Sequence, residues 1–178
     1  MSTYKNYIFI GLKVIAWIIF VGLCIEAGAL VVNFVMSIFN PAIVKNLYEK
    51  LDLSDVYQKS TWVYYGIYSF IIALAVLKCL LFYYVIKLTM VLNLANPFVQ
   101  TVADLIRDIS QLTFSIGIIS YIGQQIVKSH EHKGMIIHGI DRFWADSEAF
   151  ILMAAVVYVI ATIFARGVEL QNENEYTI

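Results

Sequence analysis

Apolar residues run along this chain in long blocks, and the charges fall between them. A helix that crosses a membrane needs about 20 mostly apolar residues. The reason is geometric: the hydrocarbon layer is about 30 Å thick and a helix rises about 1.5 Å per residue. Lys13 and Lys45 bracket the run Val14–Val44, interrupted by Glu26 alone. Lys59 and Lys87 bracket Ser60–Ile86, interrupted by Lys78 alone. Asp108 and Lys128 bracket the charge-free Ile109–Val127, and Glu148 and Arg166 bracket Ala149–Ala165. The pattern predicts four spans, near 14–39, 62–86, 109–127 and 149–165. It implies an all-α integral membrane protein, a four-transmembrane-helix bundle in one domain over 1–178. A short polar tail over 167–178 follows.

The punctuation between blocks refines this. Leu88–Ala103 is also charge-free but carries Asn93, Asn96, Gln100 and Thr101, so it is not a span. Asn96-Pro97 has the form of a helix start, with Asn as cap and Pro in the first turn. From there Phe98, Val102, Leu105 and Ile109 share one helical face, which predicts an amphipathic lead-in, Pro97–Asp108, to the third span. Asn40-Pro41 should end the first span and open a short helix, about 41–50. Leu51-Asp52-Leu53-Ser54 reads as a break and cap before the second span. Arg166-Gly167 reads as the end of the fourth helix. Lys5 and Lys13 before an apolar run, with Ala27-Gly28-Ala29 beyond, imitate a signal peptide. Glu26 and the continuing run Leu30–Phe39 favour an uncleaved span.

Composition narrows the function classes. Of the 178 residues, 61% are hydrophobic and 14% charged, with net charge -1. Soluble domains are nearer about 45–50% and about 25%. These values exclude a disordered chain, a basic nucleic-acid binder and a water-soluble enzyme. No cofactor and no direct nucleic-acid contact is implied. Four spans put both termini on one side. Lys13, Lys87, Arg107 and Arg166 abut the spans there, against Lys59 and Lys128 opposite, so the positive-inside rule places both termini in the cytoplasm. Trp17, Trp62 and Trp144, with Tyr64, Tyr65, Tyr83 and Tyr84, fall near span ends as interfacial anchors.

Small and polar residues form a stripe on each span, as helix contacts in lipid favour. The stripes are Gly22, Glu26, Ala29 and Asn33; Ser110, Thr113, Gly117, Ser120 and Gln124; and Ala154, Tyr158, Ala161 and Ala165. In the second span Ala75 and Lys78 share a face. Close packing explains them, and a hydrated cavity is the sharper alternative. Glu26 and Lys78 are ionisable groups inside spans, where an unpaired charge is costly. Glu26 lies about 20 Å and Lys78 about 24 Å from the end opposite the termini, at about 1.5 Å per residue. An ion pair is therefore expected, completed by Tyr158, Ser120 or water. It would act as a structural pin or as a ligand- or proton-responsive site. Cys24 and Cys79 read as buried apolar thiols. His130 and His132 are two apart, with His138 beyond, which departs from the four-residue spacing of a helical metal site. Asp141, Asp146 and Glu148, and Glu49, Lys50, Asp52, Asp55 and Lys59, read as solvated loop surfaces. The acidic tail is either a solubilising end or a docking strip for a basic partner.

Three stretches together resemble one family: Leu23-Cys24-Ile25-Glu26-Ala27-Gly28-Ala29, Asn96-Pro97-Phe98, and Glu169-Leu170-Gln171 with Glu173-Asn174-Glu175-Tyr176-Thr177-Ile178. Along essentially its whole length the chain is similar to the uncharacterised bacterial membrane family known as domain of unknown function 2975. Where relatives end Asp-Leu-Thr-Val, this chain reads Glu175-Tyr176-Thr177-Ile178. The resemblance implies four spans, cytoplasmic termini and a small helix-turn-helix regulator as a cytoplasmic partner. The expected function is a sensor or tether in the bacterial inner membrane. Its input would be Glu26, Lys78, Asn33, Ser120, Gln124 and Tyr158. Its output would be Asn96, Pro97 and Phe98 with Glu169, Leu170, Gln171, Glu173 and Glu175. The alternatives are a small transporter, channel or resistance factor, or a structural subunit of a membrane complex. Association of copies stays open. An enzyme is not expected, because no nucleophile–base pair can be placed.

Overall fold

A computed structural model describes residues 3–94 and 96–175. Its five α-helices are α1 (Thr3–Phe39), α2 (Ser54–Lys59), α3 (Thr61–Val91), α4 (Gln100–Glu131) and α5 (Ser147–Glu175). Short 3-10 turns occur at Pro41–Lys45, Tyr48–Lys50 and Asp141–Phe143, and no strand is present among the described residues. Asn40 ends α1 as expected: its side-chain oxygen accepts from the Ala42 amide at 3.2 Å, with Pro41 opening the turn. Asp52 forms a turn just ahead of α2, accepting from the Ser54 amide and hydroxyl at 2.9 and 2.6 Å, so the expected break precedes a separate short helix and the second span itself starts at Thr61.

Among the described residues three stretches are long and apolar enough to cross a membrane, Phe9–Phe39, Thr61–Val91 and Asp141–Glu173. Their apolar side chains point outward: Ile18 is 67% exposed, Ile25 64% and Leu152 71%. An exposed apolar area of that extent suits lipid and not water. The expected span 109–127 lies within α4, which has the length but is the more polar helix. Its Ser110, Thr113 and Ser120 are buried, so the polar stripe is turned inward.

Two expected helix limits move. α4 begins at Gln100, three residues after Pro97, so Phe98 belongs to the preceding loop. α5 does not stop at Arg166-Gly167 but continues to Glu175, with Arg166 and Glu169 paired one turn apart. Tyr176, Thr177 and Ile178 lie outside the described residues.

Each long helix packs on its neighbour along the chain: α1 on α3, α3 on α4, and α4 on α5. Among the described residues no comparable contact closes α1 onto α4 or α5. The expected compact bundle is thus an open row. Neighbours run antiparallel. The Tyr64 hydroxyl donates to Ser37 and the Tyr68 hydroxyl to the Leu30 carbonyl, joining late α1 to early α3. Leu88, late in α3, packs with Val102 and Ile106, early in α4. Ser110 bonds Ala154, while Val102 and Ile106 meet Ala161. The start of α1 and the end of α5 therefore share one end of the row.

The opposite end carries a folded cap in place of the expected solvated loops. Segments 40–60 and 132–146 pair through an antiparallel bridge, Asp52 with His138. Asp55 binds Lys59 at 2.9 Å and the Ile136 amide at 2.8 Å, and Lys59 also donates to the Gly134 carbonyl. Arg142 holds the carbonyl and carboxylate of Glu49. Beneath lies a closed core that includes Leu47, Leu51, Leu53, Val56, Ile137 and Ile140. Each such side chain contributes about 1.5–3 kcal/mol on burial, against about 0–1 for a surface ion pair, so the core dominates. Glu49 and Lys50 are left-handed, at φ 56° and 60°. Gly139 faces them at φ 80°, where a Cβ would stand 3.3 Å from the Lys50 carbonyl.

Gly123 allows Trp144 to lie flat on α4; a Cβ there would stand 2.5 Å from the ring. Trp144 is therefore a packing residue and not an interfacial anchor. Gly123→Leu is expected to lower stability by about 1–3 kcal/mol through overpacking. Gly22→Leu, which opens onto free space, should change it by under about 0.5 kcal/mol. Unfolding of the two variants in mixed micelles checks the contrast.

The bond from Lys59, with that from the Ile136 amide, holds the Asp55 carboxyl below its ordinary value. A lowered folded pKa stabilises above the unfolded value and loses that contribution as pH falls through the folded one. The protection of the Ile136 amide, taken relative to its intrinsic exchange rate at each pH, should fall on acidification below the ordinary carboxylate range. Asp55→Asn should show that lower protection already at neutral pH.

Candidate functional site

The polar interior gathers where the chain turns back into the row. Gly117 lies against the Ser147 carbonyl, so close that a Cβ would stand 3.1 Å away. Gly117 is about 20 Å below the end of α4, at about 1.5 Å per residue. α5 therefore starts level with the middle of α4, and segment 141–146 descends to reach it. Backbone groups outside a helix lack their usual partners, and each costs about 1–3 kcal/mol if buried unpaired.

The stripe of α4 supplies those partners. The Ser120 hydroxyl donates to the Ala145 carbonyl at 2.7 Å, and the Gln124 amide donates to the same oxygen at 3.2 Å. Ser110 donates to the Ala154 carbonyl at 2.9 Å. Lys78, from α3, reaches the Phe143 carbonyl at 3.4 Å. At the mouth of this seam a cleft of about 300 Å³ is lined by Gln124, Lys128, Glu131, Asp141, Trp144 and Asp146, among others. Asp146 also accepts from the Ala149 amide at 3.2 Å, capping α5.

The expected ion pair is absent among the described residues. Lys78 turns toward segment 141–146, whereas Glu26 lies half-buried on the other flank of α3. Matching depth brought them level, but the two helices present them in different directions. Tyr158 takes no part: it is 57% exposed and lines a shallow groove of about 310 Å³ with Ser110, Gln111, Phe114, Ile151, Ala154 and Ala155. Asn33 donates to the Ala29 carbonyl at 2.8 Å. It also lines a separate polar hollow of about 640 Å³ with Asn46, Tyr48, Glu49, Lys50 and Arg142. The six residues expected to form one input site thus occupy several places, with only Lys78, Ser120 and Gln124 brought together.

The histidines serve the backbone. His130 belongs to α4, its Nδ1 at 2.8 Å from the Ile126 carbonyl, and His138 is in the cap bridge. No group of three or more His, Cys, Asp or Glu side chains suited to a metal occurs among the described residues.

At the other end the structure brings two output candidates together. Phe98 lies on Gly167, where no side chain would fit, and its ring is 5.4 Å from that of Phe164. Asn96-Pro97-Phe98 is thereby docked beside the last turns of α5, from which Glu169, Leu170, Gln171 and Glu173 follow. Leu170 is 48% exposed and Leu94 39%. The spacing of Phe98 from Gly167 carried no sequence signal, because the two meet only through the α4–α5 hairpin.

Compared with known proteins, the chain matches no family model, no curated protein and no solved structure.

If Glu26 and Lys78 act independently, their substitutions should add. A double-mutant cycle of Glu26→Gln with Lys78→Met is expected to give a coupling energy under about 0.5 kcal/mol in unfolding. A coupling well above that would restore the ion pair.

Proposed function

We propose that this chain is a bacterial inner-membrane protein of four crossings with cytoplasmic termini, acting as a sensor or tether for a cytoplasmic regulator. The observation that carries this reading is the shared surface of Asn96–Phe98 and the α5 extension. Along the α5 extension Leu170 is exposed on a stretch that also carries Arg166, Glu169 and Glu173. That mixture of apolar and charged side chains suits a protein partner. Lys13, Lys87, Arg107 and Arg166 flank the same end, which supports a cytoplasmic location by the positive-inside rule.

Four crossings follow from the alternating helix directions if α4 also spans. Its Ser110, Thr113 and Ser120 face inward, and Ile109–Val127 carries no charge, which favours a crossing although Gln111 and Gln125 are exposed. A helix-turn-helix regulator is the partner class implied by the resemblance to the family of unknown function 2975. The transporter reading has less support. Ser110, Ser120, Gln124 and Lys78 are engaged by backbone carbonyls, so they do not offer a free polar pathway.

A pull-down from native membranes tests the proposal. The intact chain should retain a cytoplasmic DNA-binding protein. Truncation after Gly167 and Phe98→Asp should each lower recovery by about tenfold or more, as loss of an interface centre does. Equal recovery from both variants would sink the docking surface.

A further inference from the structure

The chain has two cysteines, Cys24 on α1 and Cys79 on α3, and the α1–α3 register brings them together. Ser37 faces Tyr64, and Phe34 stacks against Tyr68 and meets Tyr65 edge-on. Continued down the antiparallel pair, that register sets Cys79 about one helical turn beyond Cys24. Each Cα–Cβ bond leans toward its own helix N-terminus, and the N-termini point in opposite directions. The lean closes the offset from both sides and turns the two thiols toward each other, and Glu26, two residues from Cys24, is close enough to act on Cys79 electrostatically. Two cysteines that the sequence places at similar depth, and reads as apolar thiols, thus face one interface.

We infer that Cys24 and Cys79 form a reversible dithiol–disulfide pair inside the membrane-facing layer, oxidised by a lipid-soluble quinone. Cys24 is exposed on α1. Gly28, one turn along the same helix, has open space beside it, so a flat ring dissolved in the bilayer can approach. In the reaction both S–H bonds break and one S–S bond forms. Two electrons and two protons pass to the quinone, giving one hydroquinone; Glu26 offers the protons a first acceptor. Dithiol and disulfide are both uncharged, so neither state places an ion in an apolar surrounding. Two thiolates holding a soft monovalent metal would do so. The consequence is mechanical. α1 is the edge helix, packed chiefly on α3, and the bond would fix it there. The inference does not depend on the regulator partner.

The test uses the full chain in phospholipid vesicles, with a short-tailed ubiquinone analogue or oxidised glutathione as oxidant. Free thiols are counted by mass-tagging after denaturation. Wild type should lose both thiols together with the quinone, with one hydroquinone formed per chain and recovery on adding dithiothreitol. Oxidised glutathione, confined to water, should act about tenfold more slowly or less. In Cys24→Ser the Cys79 thiol should persist. Retention of both thiols in wild type under quinone overturns the inference. So does loss of Cys79 at the wild-type rate in Cys24→Ser, since that signals unpaired modification. Should the variant fail to fold, peptide mapping of oxidised wild type decides: a linked Cys24–Cys79 peptide supports the pair, and its absence overturns it.

Discussion

A peptide carbonyl taken out of water needs a donor, and segment 141–146 makes that demand at Phe143 and Ala145, both buried between α3 and α4. It leaves the end of α4, descends about 20 Å alongside α3 and α4 and only then becomes helical, at about 1.5 Å per residue. Non-helical backbone survives at such depth only where protein surrounds it and satisfies it. Ser120, Gln124 and Lys78 do so at Ala145 and Phe143. Without them α5 would have to start higher, and its contact with Gly117 would be lost. The inward polar stripe of α4 follows from the same need, which is why that helix is less apolar than its neighbours yet sits between them.

The cap follows from where that descent begins. Chain leaving α4 passes over segment 40–60, and the two share a closed apolar core with Tyr64, Ile67 and Tyr68 at the top of α3. Charged pairs such as Glu49–Arg142 fasten the rim. They are half-exposed, so they set alignment more than stability. The left-handed pair Glu49–Lys50 costs about 1–2 kcal/mol per residue, which the adjoining core at Leu47 and Leu51 offsets. The far end is built differently. There the α4–α5 hairpin sets Phe98 on Gly167, and α5 runs on as an exposed helix. One end of the row is closed on itself and the other presents surface.

Much of the helix layout was legible from charge spacing, because desolvating a charge costs more than any local propensity. Gaps between charges located α1, α3 and α5 and the core of α4. Asn40-Pro41 did its capping as written, since capping is local. Boundaries that depend on a distant partner were missed. Gly167 reads as a helix end but serves as the seat of Phe98, and Trp144 reads as an interfacial anchor but rests on Gly123. The loop charges read as solvated because their partners, Asp55 with Ile136 or Glu49 with Arg142, lie far apart in sequence.

Glu26, Lys78 and the cysteines show the division most clearly. Sequence alone established that few ionisable groups enter the spans and at what depth, because depth is a count of residues at a fixed rise. It could not establish direction, because a small rotation of one helix on another decides which side chains meet. Tertiary packing turned Lys78 toward the Phe143 carbonyl, left Glu26 on the α1 side, and set Cys24 against Cys79. Period and rise belong to one chain segment; azimuth and register belong to the contact between two.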